Sequence, residues 1–326
     1  MDHQCTRRTD LRWSKGFSII ELIIALVMSL VVMSGIYAYC NSHHKSHNIQ
    51  TRVNEMNQGI RFAMNRMVSE IRMAGFKTGS GTTVFHPFVS TLWWTNYTSS
   101  FPFDLAATVP YNTPAMADNM VIRQGACDPR DDMLIFTYAD SDPDIQLVDG
   151  EPFGETWIKL NTSVEETADR FHKGDIIYIG FGTVRYPVDD LEYAKVVSIS
   201  NSWLYIDTNP YWGGCQGLVN VGGYRAGTEV GVVNVVSYAV FNDKNDSTFT
   251  YHDKGHPVLA RKCNIWEFEA LVEDIESLEV TAQGNDVQIS IVARTSKEEP
   301  EYTNPHYGDH FRRRTMTSMV KVRNRE

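Results

Sequence analysis

Residues 17–40, FSIIELIIALVMSLVVMSGIYAYC, form a nearly unbroken apolar run. About 20 such residues suffice for a helix to cross a bilayer, so this run limits the chain more than any other feature. The segment before it, MDHQCTRRTDLRWSKG, sets Arg7, Arg8, Arg12 and Lys15 against Asp2 and Asp10. That excess of positive charge holds the amino terminus in the cytoplasm and sends the remainder outward. An ordinary signal peptide ends in small residues in an A-x-A pattern. Here the run ends YAYCNS, with Tyr39 before Cys40, which suits neither that cleavage nor a lipoprotein box. A plain membrane anchor fits the length and the flanks but gives no role to one acid, Glu21. Near the bilayer centre an acid costs roughly 2.5–3.5 kcal/mol on insertion scales, and even near the edge it calls for a partner.

The stretch resembles the type III signal of type IV prepilins and pseudopilins: a short basic leader ending in Gly16, then Phe17, then Glu21 as fifth residue of the shortened chain. The resemblance implies that a membrane prepilin peptidase cuts between Gly16 and Phe17 on the cytoplasmic side and methylates the new amino group of Phe17. Cleavage then creates an ammonium one helical turn from Glu21. In an assembling filament the carboxylate also reaches the amine of a neighbouring subunit. Pairing in low dielectric relieves two costly charges and favours one axial register. Many major pilins carry proline where this chain has Ala38, so the helix runs on without that kink.

After NSHHKSH, a 3–4 apolar spacing places Ile49, Val53, Met56, Ile60, Ala63, Met67, Ile71 and Ala74 on one stripe. Gly75 follows as a natural stop. One helix over 17–74 would extend roughly 87 Å at 1.5 Å per residue, its second half lying against a globular region. A methionine-bearing stripe of this kind is packing surface. His43 and His47 stand i,i+4, a pair a metal can bridge, but no third donor is near and polar residues at a membrane boundary need no special cause.

Beyond residue 76 the texture changes to short β-type runs separated by Gly, Pro, Asn and Asp. Strands are predicted at 133–139, 175–181, 193–199, 203–207, 232–241, 248–252, 258–263, 287–294 and 315–322. A long helix followed by antiparallel strands gives an α+β fold, the helix packed on one sheet face. The organisation is then a leader (1–16), a transmembrane and filament-core helix (17–40), its amphipathic continuation (41–75) and a β-rich head (76–326). The stretch 76–120 is irregular and aromatic, with Trp93, Trp94, Tyr97, Phe101 and Phe103 suited either to packing an insertion or to covering a partner.

The phrases IRMAGF, GDIIYIG, VVSYAVF, LVEDIESLEV, VQISIVARTS and RRRTMTSMVKVRNR, in that order, resemble the PilW-type minor pilins and more distantly the J-type minor pseudopilins of type II secretion. The first resemblance implies a noncatalytic protein of the inner membrane with its head in the periplasm. It would join other minor pilins and the major pilin to prime pilus assembly, and can sit at the filament tip. The alternatives are a J-type pseudopilin, a membrane-anchored periplasmic enzyme, or a tip adhesin.

Chemistry-bearing motifs are sparse. There is no G-x-S-x-G elbow, P-loop, HExxH or dinucleotide fingerprint, and the His–Asp neighbours in YHDKGH and HYGDH lack a nucleophile. No cofactor is expected, with one constellation set against that. Asp140, Asp142, Asp144 and Glu151 occupy the first, third, fifth and twelfth positions of a calcium-loop pattern. Against calcium, Ile145 stands where that loop wants glycine, and Pro143 stiffens the path. Five cysteines include no CxxC, and Cys127 with Cys215 is the disulfide we favour if the head lies in an oxidising compartment. The acidic balance, 40 Asp+Glu against 30 Lys+Arg, argues against nucleic acid as a partner, and losing the leader makes the remainder more acidic. The basic cluster Arg312, Arg313, Arg314, Lys321, Arg323 and Arg325 reads as a charged, protected edge strand.

Overall fold

The computed structural model describes residues 18–76, 120–123, 133–140, 142, 144–152, 154–180, 192–208, 223–241, 256–264, 268–283 and 286–322. Helix α1, Ile19–Ile71, is 53 residues long. The chain divides into two compact units, Met1–Val53 and Asn54–Glu326, and the boundary falls inside α1.

In the first unit every described side chain from Ser18 to Asn48 is exposed. Ile19 is 80% exposed and Met33 68%. A run of bare Leu, Ile and Val is not a water-facing surface, because each such side chain gains about 1.5–3 kcal/mol on burial. By length and composition this helix can cross a membrane.

In the second unit α1 buries Met56, Ile60, Ala63, Met64, Met67, Glu70 and Ile71, with Ala74 just beyond. The predicted stripe is thus observed from Met56 onward, while Ile49 and Val53 are half-exposed. The helix ends at Ile71, short of the predicted residue 74, and the chain turns out of it through Gly75, whose φ of +78° suits a residue without a Cβ. The exit is then pinned to a strand: Gly75 N–H donates to the Thr137 carbonyl and Ala139 N–H to that of Phe76, both at 2.8 Å.

The head is built of antiparallel strands. Among the described residues they are β1 (Met120–Arg123), β2 (Met133–Asp140), β3 (Trp157–Lys159), β4 (Ile176–Gly180), β5 (Glu192–Ser200), β6 (Trp203–Asp207), β7 (Glu229–Phe241), β8 (Val258–Cys263), β9 (Glu269–Glu273), β10 (Ile275–Gln283), β11 (Asp286–Arg294) and β12 (Arg313–Lys321). The first nine form one sheet in the order β1-β2-β7-β4-β5-β6-β3, with β8 on β7 and β9 on β8. The 13-residue β7 is the trunk. One edge carries β2 along Val232–Tyr238; the other carries β4 along Glu229–Val233 and β8 along Val236–Phe241. The sheet therefore forks at β7.

One branch, β4-β5-β6-β3, closes over its own core, including Leu147, Ile158, Phe171, Ile177, Leu204 and Val230. Helix α2 (Val164–Arg170) flanks it, with Ser163 accepting from Glu166 N–H at 3.2 Å as an N-cap. Where β4 pairs with β7, Tyr178 lies opposite Gly231 and leaves no room for a side chain. A Cβ on Gly231 would lie 2.5 Å from the Tyr178 ring and 2.7 Å from the Asp140 carbonyl oxygen, so only glycine fits. The Tyr178 hydroxyl donates to buried Glu229 at 2.6 Å.

The second sheet is β10-β11-β12. Asp274, at φ +62°, turns the chain from β9 into it. β11 alternates, with Val287, Ile289, Ile291 and Ala293 buried, and β10 packs on β2, β7 and β8. β12 is the outer strand, paired with β11 without a bulge over nine residues.

The sequence-predicted α+β arrangement is observed: a long amino-terminal helix and an antiparallel head. Strands β6 and β8 begin and end where predicted, and β2, β4, β5, β7, β11 and β12 differ by up to three residues. β1, β3, β9, β10 and α2 were not anticipated, and the predicted strand 248–252 lies outside the described residues.

Candidate functional site

The start of α1 is a capping box. Ser18 precedes the first helical residue, and its Oγ accepts from the Ile20 N–H at 3.3 Å. Three residues on, the Glu21 carboxylate reaches back and accepts from the Ser18 N–H through Oε2 at 3.0 Å. The S-x-x-E spacing thus satisfies two of the four N–H groups that a helix start leaves open. It also sets a negative group at the positive end of the helix dipole. Glu21 Oε1 makes no hydrogen bond among the described residues.

Glu21 is not without a role in an unprocessed chain, because it caps its own helix. Its carboxylate still points to the end where a new amine would arise, since Ser18 is the residue after Phe17. Gly16 and Phe17 themselves lie outside the described residues.

Residues 14–37 match the family model described as the prokaryotic N-terminal methylation motif. The chain carries a prepilin-type amino terminus. That motif, joined to a long apolar helix, supports a type IV pilin-like or pseudopilin-like protein that is membrane-anchored with a single pass. No curated protein matches the chain.

The acidic loop is used structurally where it is described. Asp142 accepts from the Asp144 N–H at 3.1 Å and pairs with Arg170 at 2.8 Å. The first of these contacts, aided by the guanidinium, holds the Asp142 carboxyl below its usual range although burial opposes it. The Asp144 carbonyl accepts from Asn161 at 2.6 Å, and Asp140 closes β2 opposite Val232. Glu151 accepts from the Lys159 N–H at 3.2 Å, and burial raises its carboxyl. Among the described residues no group of three or more His, Cys, Asp or Glu is placed to hold a metal ion.

Cys127, Cys215 and the aromatics Trp93, Trp94, Tyr97, Phe101 and Phe103 lie outside the described residues. Cys40 and Cys263 are free thiols. Burial raises the Cys263 thiol, which keeps it protonated and a poor nucleophile. His256 meets Asp274 at 2.6 Å. In HYGDH, Asn304 Oδ1 accepts from the His306 N–H at 3.0 Å and Asp309 pairs with Arg313. Three of the basic cluster are paired inside the chain, Arg312 on Glu299 at 2.6 Å, Arg313 on Glu276 and Asp309, and Arg314 on Asn57 of α1 at 2.6 Å, while Arg323 and Arg325 lie outside the described residues.

Sequence reasoning missed the joint that fixes α1 to the head. Glu70, only 5% exposed, lies on the buried face of the helix. Its Oε2 accepts from the Tyr238 hydroxyl of β7 at 2.6 Å and from Arg261 Nε of β8 at 3.1 Å. Arg66 Nε lies 2.6 Å from Oε1, close enough for charge attraction but without hydrogen-bond alignment. Burial, then the Glu70 carboxylate, pushes the nearby Tyr138 phenol up to about 12, and the same two causes raise Tyr238. The available signal was positional: Glu70 falls three residues after Met67, in phase with the stripe, where an acid requires a buried partner.

Proposed function

We propose that the chain is a minor type IV pilin precursor of the PilW type, acting without catalysis. The observation that carries this is the prepilin-type motif over residues 14–37 on a helix whose far end is locked into an antiparallel head. The leader is removed before Phe17, and the apolar part of α1 passes laterally from the inner membrane into a filament core. The head, in the periplasm, offers surfaces to other minor pilins and to the major pilin. Glu21 leaves the Ser18 N–H, or shares it, to pair with a Phe17 ammonium. The exchange is favourable because a charged donor in low dielectric binds a carboxylate more strongly than a backbone amide does.

The order of the parts supports this over an enzyme. The best-buried described charges of the head serve internal pairs, Arg261 on Glu70 and Arg313 on Glu276, and the described free thiol there, Cys263, is half-buried with burial raising it. The test is deletion of the gene followed by mechanical shearing of surface filaments. The expected result is loss of filaments, restored by the full chain, with the protein recoverable from the sheared fraction. Intact filaments with a defect in secretion of folded proteins would overturn the proposal in favour of a pseudopilin.

A further inference from the structure

The stretch of α1 just past the apolar run is unlike either neighbour. It reads NSHHKSHNIQTR, and between Glu21 and Glu55 the chain has no Asp or Glu at all. In a protein of net charge −10, that is a local surplus of basic groups. Asn41 to Asn48 are helical and every side chain there is exposed. The charged group nearest the histidines is Lys45, and Arg52 lies about two turns further along; Tyr39 meets His43 ring to ring at 6.0 Å. From Ile19 to Tyr39 a helix rises about 30 Å, the thickness of a bilayer's hydrocarbon core. His43 and His44 then lie roughly 6–8 Å beyond that core and His47 roughly 12 Å, at headgroup depth and its outer margin. Tyr37 and Tyr39, both exposed, sit where interfacial aromatics anchor a span.

From this placement we infer that His43, His44 and His47 form an acid-strengthened contact for anionic lipid headgroups of the leaflet from which α1 emerges. It rests on the membrane-anchored reading above. Charge complementarity and direct continuity with the span select the lipid phosphate as occupant. Residue type explains the design. Lysine or arginine at these positions would add fixed charge to the exported flank and oppose the orientation set by Arg7, Arg8, Arg12 and Lys15. Histidine is the side chain whose ordinary titration lies near neutrality. The flank therefore passes outward with fixed charge chiefly at Lys45 and Arg52, the imidazole being the side-chain type to which acid adds charge. Such charges attract an anionic surface and act within a Debye length. A pilin leaving the bilayer must break this contact, so acidification would favour retention over release.

The test uses the full processed chain in phosphatidylcholine bilayers with trace spin-labelled phosphatidylglycerol or phosphatidylcholine, reading the motionally restricted lipid by electron spin resonance. Between pH 7.5 and 5.5 the preference for phosphatidylglycerol should rise by about threefold and collapse in 0.5 M salt. In H43Q/H44Q/H47Q, which keeps helix-compatible residues on an exposed surface, it should stay flat. A restricted component with no pH-dependent preference, or the same dependence in the triple variant, overturns the contact while leaving the span intact. Absence of a restricted component for either lipid overturns the membrane anchor as well. A flat preference together with acid-dependent cross-linking through position 43 or 47 to a second chain would assign the collar to an acidic protein surface instead.

Discussion

Glu21 makes two demands on one carboxylate, and the two separate by substitution. As a cap it needs only an acceptor oxygen, which Gln supplies equally. In the proposed assembly role it needs charge. Glu21→Gln should therefore preserve hydrogen-exchange protection at the start of α1 in micelles yet lose recovery from sheared filaments by an order of magnitude or more. Glu21→Ala should lose both. Filament recovery of Glu21→Gln at the level of the unaltered chain would remove charge from the account and leave a helix cap. The apolar run and Glu21 were legible because membrane length, flanking charge and one misplaced acid are all one-dimensional signals. The cap is written in the same five letters, FSIIE, but a capping acid and a charge-pairing acid share that spacing, and only the Ser18 N–H contact separates them.

Among the elements, α1 is held to the sheet by apolar packing and by one buried acid. Removing one partner of a buried charged group costs about 3 kcal/mol or more. Arg261→Ala should lower the urea midpoint of the full chain in detergent accordingly, with an unchanged slope, and E70M/R261M should recover most of the loss because an apolar pair leaves no uncompensated charge. An equally destabilised double variant would show that the packing, not the pairing, was damaged. The loop between β11 and β12 supplies a pH test. The Arg313 guanidinium holds the Asp309 carboxyl below its usual range, so the contribution is present above the ordinary carboxylate value near 4 and fades as pH falls through the lowered one. Asp309→Asn should melt lower than the unaltered chain at pH 6 and coincide with it near pH 2; a gap that persists at pH 2 contradicts the pairing. Strands with continuous β-branched runs, such as β4 and β7, were visible in sequence. β9 and β10 were not, because LVEDIESLEV carries acids at outward positions that mask the alternation, and β3 is too short to show a period.

For the whole molecule, the class was readable and the topology was not. Nothing local in VVNVVSYAVF tells that one edge of β7 would be shared by β4 and β8, since that depends on contacts far apart in sequence. Gly231 marks the β4–β7 pairing only once Tyr178 is seen against it. Likewise the stripe on α1 announced a packing face, but the partner of Glu70 lies 191 residues away in Arg261. What ties helix, head and amino terminus into one functional proposal is processing before Phe17. Mass spectrometry of the protein purified from its own membranes tests this most directly. The account predicts an amino-terminal peptide beginning with N-methylated Phe17. A chain still beginning at Met1, or cut at another position, would contradict it.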